Sequence, residues 1–304
     1  MNNKENMAEL FTDELIDNND SVRPNTWLTT FARNVTSQYG EDGIIDKILE
    51  VIGQSDKWCV EFGSWDGKRC SNTFNLIDKN GYSAILIEGD RKRFKDLEKT
   101  FEGNKKVILV NAFVGFEKEN NLDVLLEATG IPVDFDLLSI DIDGNDYHVW
   151  QAVQDYKPKV VVIEFNPTIP KTVEFVQARD IRIAQGSSFL SINKLAKSKG
   201  YELVSTTKTN AFFVDSKYFS LFGIRDNSVA TMMTDESLIT HIFCGYDGTV
   251  FIRGCGVMPW QTIAYKESRV QQLPKWARKI TGDHNILRKK LGRWFRRLRK
   301  KGIV

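Results

Sequence analysis

The chain has 304 residues, 41% of them hydrophobic and 27% charged, with a formal net charge of +2. That balance excludes a disordered polyelectrolyte and suits one large globular domain, or one domain with an appendage. The near-neutral sum hides an asymmetry, because Leu273 to Val304 carries 12 Lys and Arg against one Asp, leaving 30 basic and 39 acidic residues elsewhere. A mildly acidic body with a basic tail predicts an anionic partner for the tail.

The first 35 residues, opening MNNKENMAELFTDELIDNND, are polar and acidic and predicted to be loosely ordered. They lack the basic start and apolar run of a secretory signal, and no run in the chain reaches the ~18 apolar residues of a membrane span. A cytoplasmic location is therefore expected. The four cysteines, at 59, 70, 244 and 255, match no zinc pattern and read as reduced thiols. In SQYGEDGIIDKILEVIG, Ile44, Ile45, Ile48, Leu49 and Ile52 share one face of an amphipathic helix that Gly53 stops.

Strands and helices then alternate. Strands are predicted over 58–62, 83–89, 106–115, 136–143 and 159–165, and helices over 73–79, 91–102, 122–130 and 146–156. The strands are continuous apolar runs, which suits a parallel sheet covered on both faces, and the alternation is that of a doubly wound α/β fold. An excursion over 166–187 precedes a helix over 188–200 and a hairpin over 201–207 and 210–215. The rhythm ends near residue 218. Residues 219–283 form an extension with one legible hairpin, 244–254 around Asp247–Gly248. Residues 284–304 form a tail in which Leu287, Leu291, Trp294 and Leu298 make the stripe of a basic amphipathic helix.

Ligands of doubly wound sheets bind outside the carboxyl ends of the strands, so the loops after the strands carry the functional reading. The first is Gly63-Ser64-Trp65-Asp66-Gly67, a G-x-x-x-G turn held between Glu61 and Asp66. Acids on both sides would repel a pyrophosphate and would suit a cation such as a sulfonium or an amino group. The alternative is a plain turn with incidental acids. Glu88, after the second strand, is placed to accept both hydroxyls of a ribose. Asn111 and Ala112, after the third, are placed where an adenine is read, or are core positions.

The ordered set E-F-G-x-x-D-G, S-N-T, I-E-G and S-I-D-I-D-G-N-D-Y, preceded by SQYGEDGII, resembles the FkbM-like S-adenosylmethionine-dependent methyltransferases over roughly residues 36–216. The resemblance implies a Rossmann-like class I methyltransferase fold. Its doubly wound, mostly parallel sheet would have seven strands, the last antiparallel and supplied by the 201–215 hairpin. It implies that Glu61, Gly63, Ser64 and Asp66 surround the methionine part of S-adenosyl-L-methionine and that Glu88 holds the ribose. Asp141-Ile142-Asp143-Gly144 stands where many members carry D-x-E-G.

Asp141, Asp143 and Asp146 follow the fourth strand, and Glu164 and Asn166 close the fifth. Carboxylates so crowded raise one another's pKa unless a cation intervenes, and an all-oxygen set suits Mg²⁺ or Mn²⁺. The arrangement resembles the metal site of catechol-type O-methyltransferases, which would make Asp141, Glu164 and Asn166 ligands and Asp143 or Asp146 the base. In the other reading Asp141 and Asp143 bind the cofactor's amino group and Asp146 caps the adjacent helix. His148 is a further base, or a partly buried helix residue.

The expected activity is O-methylation of a hydroxyl on a sugar, glycolipid or natural product. The alternatives are a D-x-D glycosyltransferase and a non-catalytic S-adenosylmethionine-binding protein. No aromatic-basic interleaving in the body suggests nucleic acid. The tail suits an anionic membrane surface, such as the inner membrane face, or a partner protein.

Overall fold

The computed structural model describes residues 23–53, 55–280, 282 and 285–302. Five parallel strands lie at its centre: β1 (Trp58–Phe62), β2 (Ser83–Ile87), β3 (Val107–Val110), β4 (Leu137–Ile140) and β5 (Val160–Glu164). The hairpin β6 (Tyr201–Thr206) and β7 (Asn210–Asp215) completes a seven-stranded sheet in the order β3-β2-β1-β4-β5-β7-β6. β7 runs against the other six strands. This is the Rossmann-like class I methyltransferase architecture. The strands read as unbroken apolar runs because β1, β2, β4 and β5 are buried along nearly their whole length.

Helix α1 (Glu41–Ile52) precedes β1, and one helix follows each parallel strand: α2 (Phe74–Asp78), α3 (Arg91–Thr100), α4 (Leu122–Glu127), α5 (Asp146–Ala152) and α6 (Phe189–Ser198). Ile44, Ile45 and Ile48 of α1 are buried, as the spacing predicts, and Gly53 ends the helix in a left-handed conformation. Strand order reverses between β1 and β4, so the carboxyl ends of those two strands flank the crevice where such sheets receive ligands.

Two boundaries differ from the expectation. Residues 1–22 lie outside the described residues, but the stretch that follows is not loose. Trp27–Phe31 forms a 3₁₀ turn whose Trp27 and Leu28 are buried, and the Trp27 indole donates to the Phe222 carbonyl at 3.0 Å. A single indole and one leucine fix it, too few residues to show a period. Nor does the body end at 218: Phe222, Val229, Met232 and Ile239 are buried in the same core, so residues 219–239 belong to it. Beyond them the expected hairpin is β8 (Thr240–Cys244) and β9 (Val250–Gly254), followed by the short pair β10 (Val257–Met258) and β11 (Ile263–Ala264). The last helices are α7 (Val229–Met232) and the tail helix α8 (Ile286–Lys300).

Candidate functional site

The glycine turn after β1 is built on close backbone approach. Gly63 has φ +74°, and a Cβ there would lie 1.9 Å from the Asp141 carbonyl oxygen, so the turn can lie on the end of β4 only without a side chain. Gly67, at φ +73°, leaves room for Leu97 and Phe101 of α3. Ser64 is buried, donates its hydroxyl to the Glu61 carbonyl at 2.7 Å and its N–H to the Ile87 carbonyl at 3.2 Å. The turn thus spans the ends of β1, β2 and β4.

The two acids flanking the turn are hydrogen-bonded to the chain. Glu61 is buried, and its carboxylate accepts from Ser71 Oγ at 2.6 Å, Asn72 N–H at 2.8 Å and Thr73 Oγ1 at 2.8 Å. Burial raises its pKa, and those three donors oppose the rise. The S-N-T motif is therefore the partner of Glu61, and together they pin the start of α2 beneath the turn. Asp66 closes an Asx turn, its Oδ1 accepting from the N–H groups of Lys68 at 3.0 Å and Arg69 at 2.7 Å. The expected cation cradle therefore changes at Glu61, whose carboxylate is taken up by the S-N-T segment, while Asp66 uses only Oδ1 in its turn. The guanidinium groups of Arg69 and Arg93 lie 5.0 and 4.9 Å from the Trp65 ring centroid, so the rim of the turn is positive.

Glu88 stands where the sequence places it, buried at the end of β2. One oxygen accepts from Trp65 N–H at 2.9 Å and the other from Asp90 N–H at 2.7 Å. A carboxylate has about four acceptor positions, so this anchoring leaves each oxygen with capacity for one more donor. Asn111 donates its amide to the Glu88 carbonyl at 2.7 Å and holds the end of β3 against that of β2, with Ala112 half-buried beside it. The tryptophan N–H that positions Glu88 is a backbone group, with no signal in the sequence.

Across the reversal point, Asp141, Asp143 and Glu164 each bring a carboxylate oxygen to within 4.8 Å of the others. Asp143 reaches the group by adopting a left-handed conformation, φ +58°, which aspartate tolerates better than most residues. Burial, then the charges of Asp146, Asp143 and Glu61, push Asp141 up to about 7. Burial, then Asp141, Asp146 and Asp143, push Glu164 up to about 10. Burial and crowding therefore favour the protonated form of Glu164 at neutral pH and shift Asp141 the same way.

Two expectations for this end change, and His148 takes the second of its two readings. Asp146 is neither free base nor helix cap: it is buried, and its two oxygens accept from Ile142 N–H and Gly144 N–H, each at 2.9 Å, clamping the loop that carries Asp143. Burial pushes it up to about 6. Asn166 does not join the carboxylates, because its Oδ1 accepts from Thr168 N–H at 2.9 Å and Thr168 Oγ1 at 2.7 Å while its amide donates to the Gln185 carbonyl. Asp143 takes the third place in the set instead. His148 is a packed residue of α5, its ring against Phe116 and Tyr147 and its Nε2 2.9 Å from the Gln177 carbonyl. A carbonyl partner makes Nε2 the protonated nitrogen.

Two features at this rim had no role assigned from the sequence. Gln177, buried in the 166–187 segment, accepts at Oε1 from Gln185 N–H and Gly186 N–H, both at 2.9 Å, and donates to the Ile183 carbonyl. The lead-in to α1 is equally bound: Asp42 accepts from the N–H groups of Val35, Thr36 and Ser37, and Glu41 accepts from Thr207 Oγ1 at 2.6 Å. Those two acids explain the E-D of SQYGEDG.

No protein-family model and no curated protein matches the chain. Solved structures are similar at low identity. The N-terminal domain of EvdMO1 with SAH bound is 12% identical over 57% of this chain and 79% of that one, with a TM-score of 0.37. A putative sarcosine dimethylglycine methyltransferase from Galdieria sulphuraria is 16% identical over 54% and 62%, with a TM-score of 0.37. The CMeT domain of the citrinin polyketide synthase is 12% identical over 57% and 50%, with a TM-score of 0.40. Likeness at this level carries no argument about the site, and the fold assignment rests on the strand order itself.

Proposed function

We propose that the chain is an S-adenosyl-L-methionine-dependent methyltransferase of the FkbM-like kind, transferring a methyl group to a hydroxyl of a sugar, glycolipid or natural product. The observation that carries the reading is Glu88. It is buried at a strand end beside a glycine turn, at the reversal of strand order, with one backbone N–H on each oxygen and acceptor capacity left for a ribose diol. The glycine turn after β1, which Gly63 lets lie on the end of β4, supports it.

The acid-rich half of the crevice supports a hydroxyl acceptor, which must lose a proton as it is methylated. In the transfer, the acceptor oxygen forms a bond to the methyl carbon, the carbon–sulfur bond breaks with its electron pair passing to sulfur, and the hydroxyl proton goes to a carboxylate. Asp141, at about 7, is matched to that role near neutral pH. The oxygen-only set of Asp141, Asp143 and Glu164 also fits Mg²⁺ or Mn²⁺. A cation held there would supply acidification of the hydroxyl.

Calorimetric titration with S-adenosylhomocysteine tests the reading. The wild-type chain should bind it, and Glu88→Gln should weaken binding on the order of tenfold, as expected for loss of a charged hydrogen-bond acceptor. No binding by the wild-type chain would overturn the cofactor assignment, and unchanged affinity of the variant would overturn the role of Glu88.

A further inference from the structure

We infer that α8 is a membrane-surface anchor that lies on anionic lipid. At 3.6 residues per turn, Leu287, Leu291, Trp294 and Leu298 fall within an arc of roughly 60°. Three of these four apolar side chains are exposed, Leu287 at 66%, Leu291 at 46% and Trp294 at 54%, and Leu298 is half-buried. Phe295, also exposed, widens the stripe on one side.

The rest of the helix is basic. Ile286 to Lys300 contains eight Lys and Arg and no acid. By the same periodicity Lys290 and Arg297 border the stripe on one side and Arg299 on the other, where they would reach phosphate headgroups while the stripe enters the acyl boundary. The approach to the helix has the same character, with Trp276 70% exposed among Lys275, Arg278 and Lys279. No described helix is long and apolar enough to cross a membrane, so α8 lies on the surface rather than spanning it. A nucleic acid would use the charge and leave the leucine–tryptophan stripe in water. An acidic protein groove would not favour cations on every remaining face. A lipid surface uses both.

The inference is independent of the methyltransferase reading. Its test is sedimentation of the full chain with vesicles of phosphatidylglycerol and phosphatidylcholine, against vesicles of phosphatidylcholine alone. The wild-type chain should pellet with the anionic vesicles, remain in solution with the zwitterionic ones, and be partly released by added salt. Leu291→Ser/Trp294→Ser alters only exposed side chains and should cut the partition coefficient on the order of tenfold or more. Lys290→Glu/Arg297→Glu should cut it further still, since each basic group near such a surface contributes roughly a factor of five. Equal binding to both vesicle types, or wild-type partition of the Leu291→Ser/Trp294→Ser chain, would overturn the inference. So would absence of vesicle binding alongside capture by single-stranded RNA that the serine substitutions do not affect.

Discussion

Glu164 holds its proton to about 10 because it is buried beside Asp141, Asp146 and Asp143. The sign of the effect on stability follows from proton counts. The ordinary value is 4.5, so between about 4.5 and 10 the folded chain keeps a proton that the unfolded chain releases. Stability of the ligand-free protein should therefore fall as pH rises through that window, and Asp141, raised to about 7, adds to the fall in its lower part. Glu164→Gln removes the acid and keeps the shape. It should raise the melting temperature by about 2–4 °C near pH 8 and change it little near pH 4. Thermal unfolding across pH checks this, and equal shifts at both ends would show that Glu164 is not charge-frustrated. The acids themselves were legible as carboxylates crowded at two strand ends. Which of them meet was not. Asp143 replaces Asn166 because one backbone angle is left-handed and one threonine hydroxyl captures the amide, and neither has a signature in a single sequence.

The segment 166–187 shows the same limit at the scale of an element. Every strand of the main sheet and every helix from α1 to α6 had a period or an apolar run to betray it. This segment contains no helix or strand among its described residues, and its order comes from a glutamine. Gln177 satisfies the N–H groups of Gln185 and Gly186 and the carbonyl of Ile183, while Asn145 on α5 donates to the carbonyls of Asp180 and Ile183. Gln177→Ala leaves the N–H groups of Gln185 and Gly186 without their partner, while the Ile183 carbonyl keeps Asn145, and should cost about 2–4 kcal/mol. Limited proteolysis should then cut within 177–187 well before the sheet unfolds, and the wild-type chain should resist under the same conditions. Cleavage at equal rates would mean that the amide is dispensable. Strand lengths were misjudged for a related reason. The run expected over 106–115 ends as a strand at Val110, where the Asn111 side chain turns to the Glu88 carbonyl.

For the molecule as a whole, the sheet has a polar staple at the end opposite the site. Asp136 precedes β4, is fully buried, and receives Lys159 Nζ at 2.7 Å; Lys159 also reaches Asp56 at 3.0 Å. Removing one partner of such a pair strands the other charge, so Lys159→Met should cost about 3–5 kcal/mol in chemical denaturation. Asp136→Asn in the same chain should recover part of that loss. Affinity of the folded protein for S-adenosylhomocysteine should be unchanged in both, since the staple lies at the amino ends of the strands. The overall plan was readable because alternation and apolar runs encode it locally; the tie between the chain's early and late parts was not. That tie has a temporal meaning. Trp27 finds its acceptor on Phe222, Asn25 receives the N–H groups of Arg225 and Asp226, and Glu41 waits for Thr207 and Asn210. On a ribosome the five parallel strands emerge and can assemble while this lead-in still lacks its partners. The SQYGEDG segment finds its late partners only once residue 210 has been synthesised, and Asn25 and Trp27 find theirs only after residue 226, so a nascent chain stalled before residue 207 holds five parallel strands without either tie.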